Sequence, residues 1–216
     1  MLFDLDGTLI DSVGLILASM RHATAEILGQ ALPDEVLMRN VGVPLHVQMA
    51  EFSEPHADEL LVAYRAHNAI VHDELLCDYP GTLEAVRRVA ATGVRLGIVT
   101  SKSRPVAERG IEHCGLGEPF DVLVAMEDTE LHKPDPAPLV LAMRRLGVTP
   151  ERCAYVGDAA QDMLAARAAG VLAVAALWGV HPAERVTAPG VDLAYSALGE
   201  FAADLEVAKG RGATDN

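Results

Sequence analysis

The chain has 216 residues, 50% of them hydrophobic, enough for one large domain or for a core carrying an insert. Its 31 acidic and 17 basic residues give a formal net charge of -14, which opposes binding to nucleic acid or to an anionic membrane surface. The same balance admits a small anionic ligand, because one cation and a few basic side chains can dominate the field of a single pocket.

The opening stretch, Met1 to Ser12, reads as a buried strand followed by a turn. Leu2, Phe3 and Leu5 are apolar, Asp4 and Asp6 interrupt them, and Gly7 permits a tight bend. Two carboxylates at the end of an apolar strand are costly without a partner. Hard oxygen ligands suit Mg2+. A plain Asp-Gly turn is the competing reading of this stretch.

From Gly14 to Leu28 apolar residues recur at helical spacing, with Asp11 or Ser12 placed to cap the start. Short helices are expected after Pro33-Asp34 and Val43-Pro44. A longer one is expected over His56 to Leu76, with Leu60, Ala63, Tyr64, His67 and Val71 on its apolar side. No strand is expected between Asp11 and Asp78. After Tyr79-Pro80-Gly81, helices over 82–91, 104–114, 136–146 and 161–169 alternate with strands over 95–100, 121–125, 153–156 and 172–177. A final edge strand at 192–195 and a closing helix over 198–208 follow. Such alternation predicts an α/β fold, a Rossmann-like parallel sheet with helices on both faces. The expected division is a core domain of residues 1–10 and 79–209, an inserted helical cap of residues 11–78, and a disordered tail of residues 210–216.

Cys77, Cys114 and Cys153 are far apart and form no CxxC, which predicts reduced, buried thiols and a cytoplasmic protein. No uninterrupted apolar run reaches membrane-spanning length. The cap histidines His22, His46, His56, His67 and His72 lack metal-ligand spacing and are expected at the surface or at an interface.

Asp4-Leu5-Asp6-Gly7-Thr8-Leu9 resembles the first signature of the haloacid-dehalogenase-like hydrolases. Three further signatures of that family have counterparts in order: Thr100-Ser101 after RLGIV, Lys133 in His132-Lys133-Pro134, and the acidic run Gly157-Asp158-Ala159-Ala160-Gln161-Asp162. Each is a weak signal alone. Together they span Met1 to about Val174, all at the carboxyl ends of expected strands, where α/β proteins place their sites. The chain has three lysines, and Lys102 and Lys133 both fall in signature stretches.

The resemblance implies a phosphatase with a helical cap. Asp4 would be the nucleophile and Asp6 the general acid and base. Thr100, Lys133, Ser101 and the amides of Leu5 and Asp6 would hold the phosphoryl oxygens. Mg2+ would be bound by Asp4, the Asp6 backbone carbonyl and Asp158, with Gly157 letting the backbone turn close to the metal and Asp162 orienting its ligands. Thr8 would steady Asp6 beside the substrate, a structural turn being its alternative. Arg39, or Arg21, would grip a substrate carboxylate, with a solvated surface place as the alternative.

Departures from the family's other activities narrow the choice. The second Asp that the dehalogenases lack is present as Asp6. The segment 11–79 holds no lysine for the Schiff base of the phosphonatases, and Ile16 stands where sugar phosphomutases carry a His. The Thr100-Ser101-Lys102 string, His132 to Pro136 and Trp178-Gly179 look most like the phosphoglycolate phosphatase and pyrophosphatase branch. The resemblance therefore implies a small anionic phosphate substrate, phosphoglycolate first and inorganic pyrophosphate second, no nucleic-acid or membrane partner, and a monomer or homodimer. It also implies a true start a few residues upstream of Met1. A non-catalytic binding module on the same core is the alternative class.

Overall fold

A computed structural model describes residues 1–212. Its main sheet has six strands in the order β5-β4-β1-β6-β7-β8, all parallel. These are β1 (Leu2–Phe3), β4 (Gly97–Val99), β5 (Val122–Val124), β6 (Ala154–Gly157), β7 (Leu172–Ala176) and β8 (Leu193–Tyr195). The near-continuous apolar runs of β1, β4 and β6 are those of strands buried on both faces.

Strand β1 lies at the centre, with Phe3 in register with Ile98 on one side and Val156 on the other. The chain leaves β1 toward β4 in one direction and reaches β6 in the other, so β1 borders the switch point where such sheets open a crevice. The Asp4 amide donates to the Val156 carbonyl oxygen (2.8 Å) and the Thr100 amide to that of Val124 (2.9 Å). The ladder thus runs right up to the signature residues.

Helices α5 (Thr82–Ala91), α6 (Arg104–His113), α7 (Ala137–Leu146), α8 (Ala160–Ala169) and α10 (Leu198–Gly212) cover the sheet. One face of the core centres on Phe3, which meets Phe120 and Phe201 edge-on at centroid distances of 6.0 and 6.4 Å. The opposite face packs Leu2 and Tyr155 against Leu139, Met143 and Met163.

Between β1 and β4 the chain forms α1 (Val13–Leu28), α2 (Asp34–Leu37), α3 (Leu45–Phe52) and α4 (Ala57–Leu75). They bury their own cluster, including Ile16, Met20, Leu37, Met49, Leu60 and Tyr64. Ser12 is the N-cap of α1 but makes no side-chain capping bond; Asp11, one residue earlier, accepts the Val13 amide on Oδ1 (3.1 Å).

The structure departs from the sequence reading in several places. Strands β2 (Ile10–Asp11) and β3 (Cys77–Asp78) pair antiparallel where the chain enters and leaves this helical segment, in a region expected to hold no strand. Two residues per strand are too few to show an alternating pattern. The apolar side of α4 is Leu60, Ala63, Tyr64, Asn68 and His72, so the buried stripe includes two polar residues and His72 is not at the surface. A five-residue helix, α9 (Ala183–Thr187), was not expected. Cys77 is exposed and Cys114 half-buried, against the expectation of three buried thiols; all three are free. Helix α10 continues to Gly212, past the expected end at Ala208, so residues 210–212 are helical. Glycine at a helix end costs little. Residues 213–216 of the expected tail lie outside the described residues. Among the described residues no helix is long and apolar enough to cross a membrane.

Candidate active site

The carboxyl ends of β1, β4 and β6 deliver Asp4, Thr100 and Asp158 to one place, and the loop after β5 brings Lys133. The centre is Lys133, 3% exposed. Its ammonium lies 2.9 Å from Asp4 Oδ1 and donates to Asp162 Oδ1 (2.7 Å) and to the Tyr155 hydroxyl (3.0 Å). The Tyr155 hydroxyl in turn donates to the Val99 carbonyl oxygen (3.0 Å), tying the cluster to β4. Asp162 Oδ2 accepts the Ala159 amide at the start of α8 (3.0 Å). Both Asp162 oxygens are therefore committed, and the residue holds Lys133 in place.

Asp158 accepts the Val180 amide on Oδ2 (2.7 Å) and the Thr8 hydroxyl on Oδ1 (3.3 Å). Glycines make this packing possible. A Cβ on Gly7, whose φ is +78°, would come within 2.2 Å of Asp158 Oδ2. A Cβ on Gly179 would come within 2.2 Å of Asp158 Cβ. Gly157 serves Asp162 in the same way, since its Cβ would lie 2.5 Å from that side chain.

Oxygens of Asp4, Asp158 and Asp162 all lie within 4.8 Å of one another, and all three residues are buried. Burial, helped by the charge of Asp162 and opposed by Lys133, pushes the Asp4 carboxyl up to about 7. Burial and the neighbouring carboxylates raise Asp158 well above its ordinary value. One lysine thus serves three crowded carboxylates. A hard divalent cation fits beside Asp4 and Asp158, which keep lone pairs free, and would remove the repulsion.

The sign of the pH effect follows. A carboxyl raised in the folded state binds its proton more tightly there than in the unfolded chain, so stability falls as pH rises from the ordinary value of 3.8 toward about 7. The metal-free protein should therefore melt at a lower temperature at pH 7.5 than at pH 5, and a divalent cation should raise Tm more at pH 7.5. Calorimetry at the two pH values checks this; an equal cation shift at both would count against the carboxylate pair as the binding site.

Asp6 sits beside the cluster, its Oδ1 taking a 2.5 Å contact from Lys102 Nζ. Thr100 Oγ1 accepts the Lys102 amide (3.1 Å). Asp4, Asp6, Thr100, Ser101, Lys102 and Lys133 all line one cavity of about 440 Å3, roofed by α1, α3 and α4. The roof is fastened to the core. Ser101 Oγ donates to the Gly42 carbonyl oxygen (2.9 Å), and His181 Nε2 lies 2.9 Å from that of Val41.

Two substrate-binding assignments are corrected. Thr8 is fully buried and off the cavity wall, and its hydroxyl donates to Asp158, not to Asp6. Arg39 is exposed and also off the wall; its loop delivers Val41, Gly42 and Val43 instead. Arg21 pairs with Asp34 on the cap surface. Lys102 and Tyr155 were given no role from the sequence, although both stand within or beside signature strings.

The parallel α/β sheet thus carries an acid-rich crevice at its switch point, under a helical roof. The chain belongs to the haloacid dehalogenase-like hydrolases, whose family model matches residues 1–176. It is 36% identical over 187 residues to the pyrophosphatase PpaX of Bacillus velezensis, covering 87% of each chain. It is 38% identical over 170 residues to PpaX of Halalkalibacterium halodurans, covering 79% of each. Among solved structures it resembles a provisionally assigned phosphoglycolate phosphatase of Lactobacillus plantarum (27% identity, TM-score 0.85, 94% of this chain and 97% of that one). A provisionally assigned haloacid dehalogenase-like hydrolase of Bacteroides fragilis is similar at 28% identity and TM-score 0.86, covering 93% of this chain and 97% of that one.

Proposed function

We propose that this phosphatase hydrolyses a small phosphate monoester through an aspartyl-phosphate on Asp4, with Mg2+ as cofactor. The supporting observation is Asp4 itself, a carboxylate on the wall of a roofed cavity, 2.9 Å from a buried ammonium and beside Asp158. Asp4 and Asp158, with the Asp6 backbone carbonyl, would hold the cation, which when bound neutralises charge on the phosphoryl group.

An Asp4 oxygen attacks phosphorus, and the bond from phosphorus to the leaving oxygen breaks. Asp6 gives its proton to that oxygen. Asp6 then takes a proton from water, which attacks phosphorus, breaks the Asp4–phosphorus bond and releases phosphate. Lys133 stays protonated throughout, its proton held tightly by Asp162 and Asp4 against the effect of burial. Lys102 positions Asp6 between the two steps. Thr100, Ser101 and the amides of Leu5 and Asp6 face the phosphoryl oxygens. The cap excludes water from the first step.

A second reading, inorganic pyrophosphate as substrate, draws on the names of the relatives at 36% and 38% identity. The solved phosphoglycolate phosphatase relative supports the monoester reading, with phosphoglycolate as a candidate. Excess chelator is expected to abolish release of p-nitrophenol from p-nitrophenyl phosphate, and Mg2+ to restore it. Full turnover in chelator would remove the cation from the mechanism. No turnover of any phosphate compound with Mg2+ present would favour a binding module on this core.

A further inference from the structure

We propose that His181 is a positioning residue that latches the cap onto the core and ties that latch to Asp158, so that filling the metal site holds the roof closed. This rests on the phosphatase reading and adds to it a residue that lies off the cavity wall. His181 is 6% exposed and follows β7, outside all four signature stretches. Its Nε2 lies 2.9 Å from the Val41 carbonyl oxygen, which can only accept, so the proton sits on Nε2.

Three successive residues of the cap, Asn40 to Gly42, are held from the core. Ser101 Oγ donates to the Gly42 carbonyl oxygen (2.9 Å), His181 Nε2 to that of Val41, and Arg185 Nη2 to Asn40 Oδ1 (3.3 Å). Gly42, at φ +106°, also sits down on the end of β6, where a Cβ would lie 3.3 Å from Ala159 Cβ. Val41, Gly42 and Val43 line the cavity, so the place of this loop sets how far the cavity is closed.

Each attachment adjoins a group of the site. Ser101 follows Thr100, and Ala159 follows Asp158. The link through His181 is the tightest. In the loop after β7, Trp178 Nε1 donates to the Thr8 carbonyl oxygen (3.0 Å), Gly179 packs on Asp158, and the Val180 amide donates to Asp158 Oδ2 (2.7 Å). His181 comes next, so the orientation of the Asp158 carboxylate and the place of the latch are joined through one residue. A cation that fixes Asp158 in this orientation favours the closed latch, and by linkage the closed latch favours the cation. On opening, each latch bond is exchanged for a bond to water, so the roof can lift at low cost.

Limited trypsin digestion reads the latch at Arg39, which is exposed and precedes the held residues. In the wild type, Mg2+ is expected to slow cleavage after Arg39 at least about fivefold. Cleavage after Arg87, exposed on α5, is the control for global unfolding. In His181→Phe and His181→Leu the Mg2+ effect should fall below about twofold, whereas His181→Gln, whose amide can still donate, should keep it. With saturating Mg2+, kcat/KM for p-nitrophenyl phosphate should fall at least about tenfold in the first two variants and stay within about threefold of wild type in His181→Gln. No protection of Arg39 in the wild type, or protection that survives in His181→Phe and His181→Leu, overturns the proposal. So does an equal loss in all three variants or faster cleavage after Arg87, either of which marks a merely structural role. If the wild type releases phosphate from no phosphate compound while Arg39 is protected as expected, the phosphatase reading falls and the latch stands.

Discussion

Asp4→Asn should lower kcat by at least about 10^4-fold while leaving Tm equal to wild type or higher. The amide is nearly isosteric and still offers an oxygen to Lys133, which lies 2.9 Å away and keeps Asp162 as its counter-charge. What is lost is the nucleophile. What is also lost is the cost of a carboxylate whose burial pushes it up to about 7. A purely structural Asp4 would give the reverse pattern, with reduced stability and retained turnover. Assays of kcat together with thermal melts separate the two.

Lys133→Met is expected to cost both activity and stability. Three groups depend on the Lys133 ammonium: Asp4, Asp162 and the Tyr155 hydroxyl. Asp162 has no exposure, and its Oδ1 would keep only the Tyr155 hydroxyl nearby, at 3.1 Å. Removing one partner from a buried charge cluster costs about 3–5 kcal/mol, because the remaining charge is left unpaired. Denaturant melts should show a loss of that order at neutral pH. The loss should shrink toward pH 5, where the stranded carboxyls can protonate. Undiminished stability at neutral pH would mean that Lys133 does not hold the cluster together.

Asp4 and Asp6 were legible as carboxylates at the end of an apolar strand, costly without a partner, whereas Thr100, Lys133 and Asp158 were weak signals alone and were read from the resemblance of the four stretches taken together. Asp4, Thr100 and Asp158 follow β1, β4 and β6, which the central position of β1 makes neighbours. Partnerships across the fold left less trace. Thr8 meets Asp158 across 150 positions of sequence, and Lys102 meets Asp6 across 96. Local spacing carries neither pairing, so Thr8 was assigned to its near neighbour Asp6 and Lys102 to no role. Polar residues in a buried stripe mislead for a related reason. Asn68 and His72 face inward on α4, where hydropathy reads them as solvent-facing. Arg39 was chosen for its charge, but its exposed side chain sits on a loop whose neighbours, not itself, reach the cavity.

The most direct test of the mechanism is chemical trapping of the phosphorylated enzyme. p-Nitrophenyl phosphate needs no proton donor for its leaving group, so Asp6→Asn should still form the intermediate from it and hydrolyse that intermediate slowly. Rapid quenching, borohydride reduction and mass spectrometry should then find the reduced acyl phosphate at residue 4, accumulating in Asp6→Asn above its wild-type level and absent in Asp4→Asn. Phosphate release with the acyl phosphate at Asp158, or with none at residue 4 in Asp6→Asn, would contradict nucleophilic catalysis by Asp4.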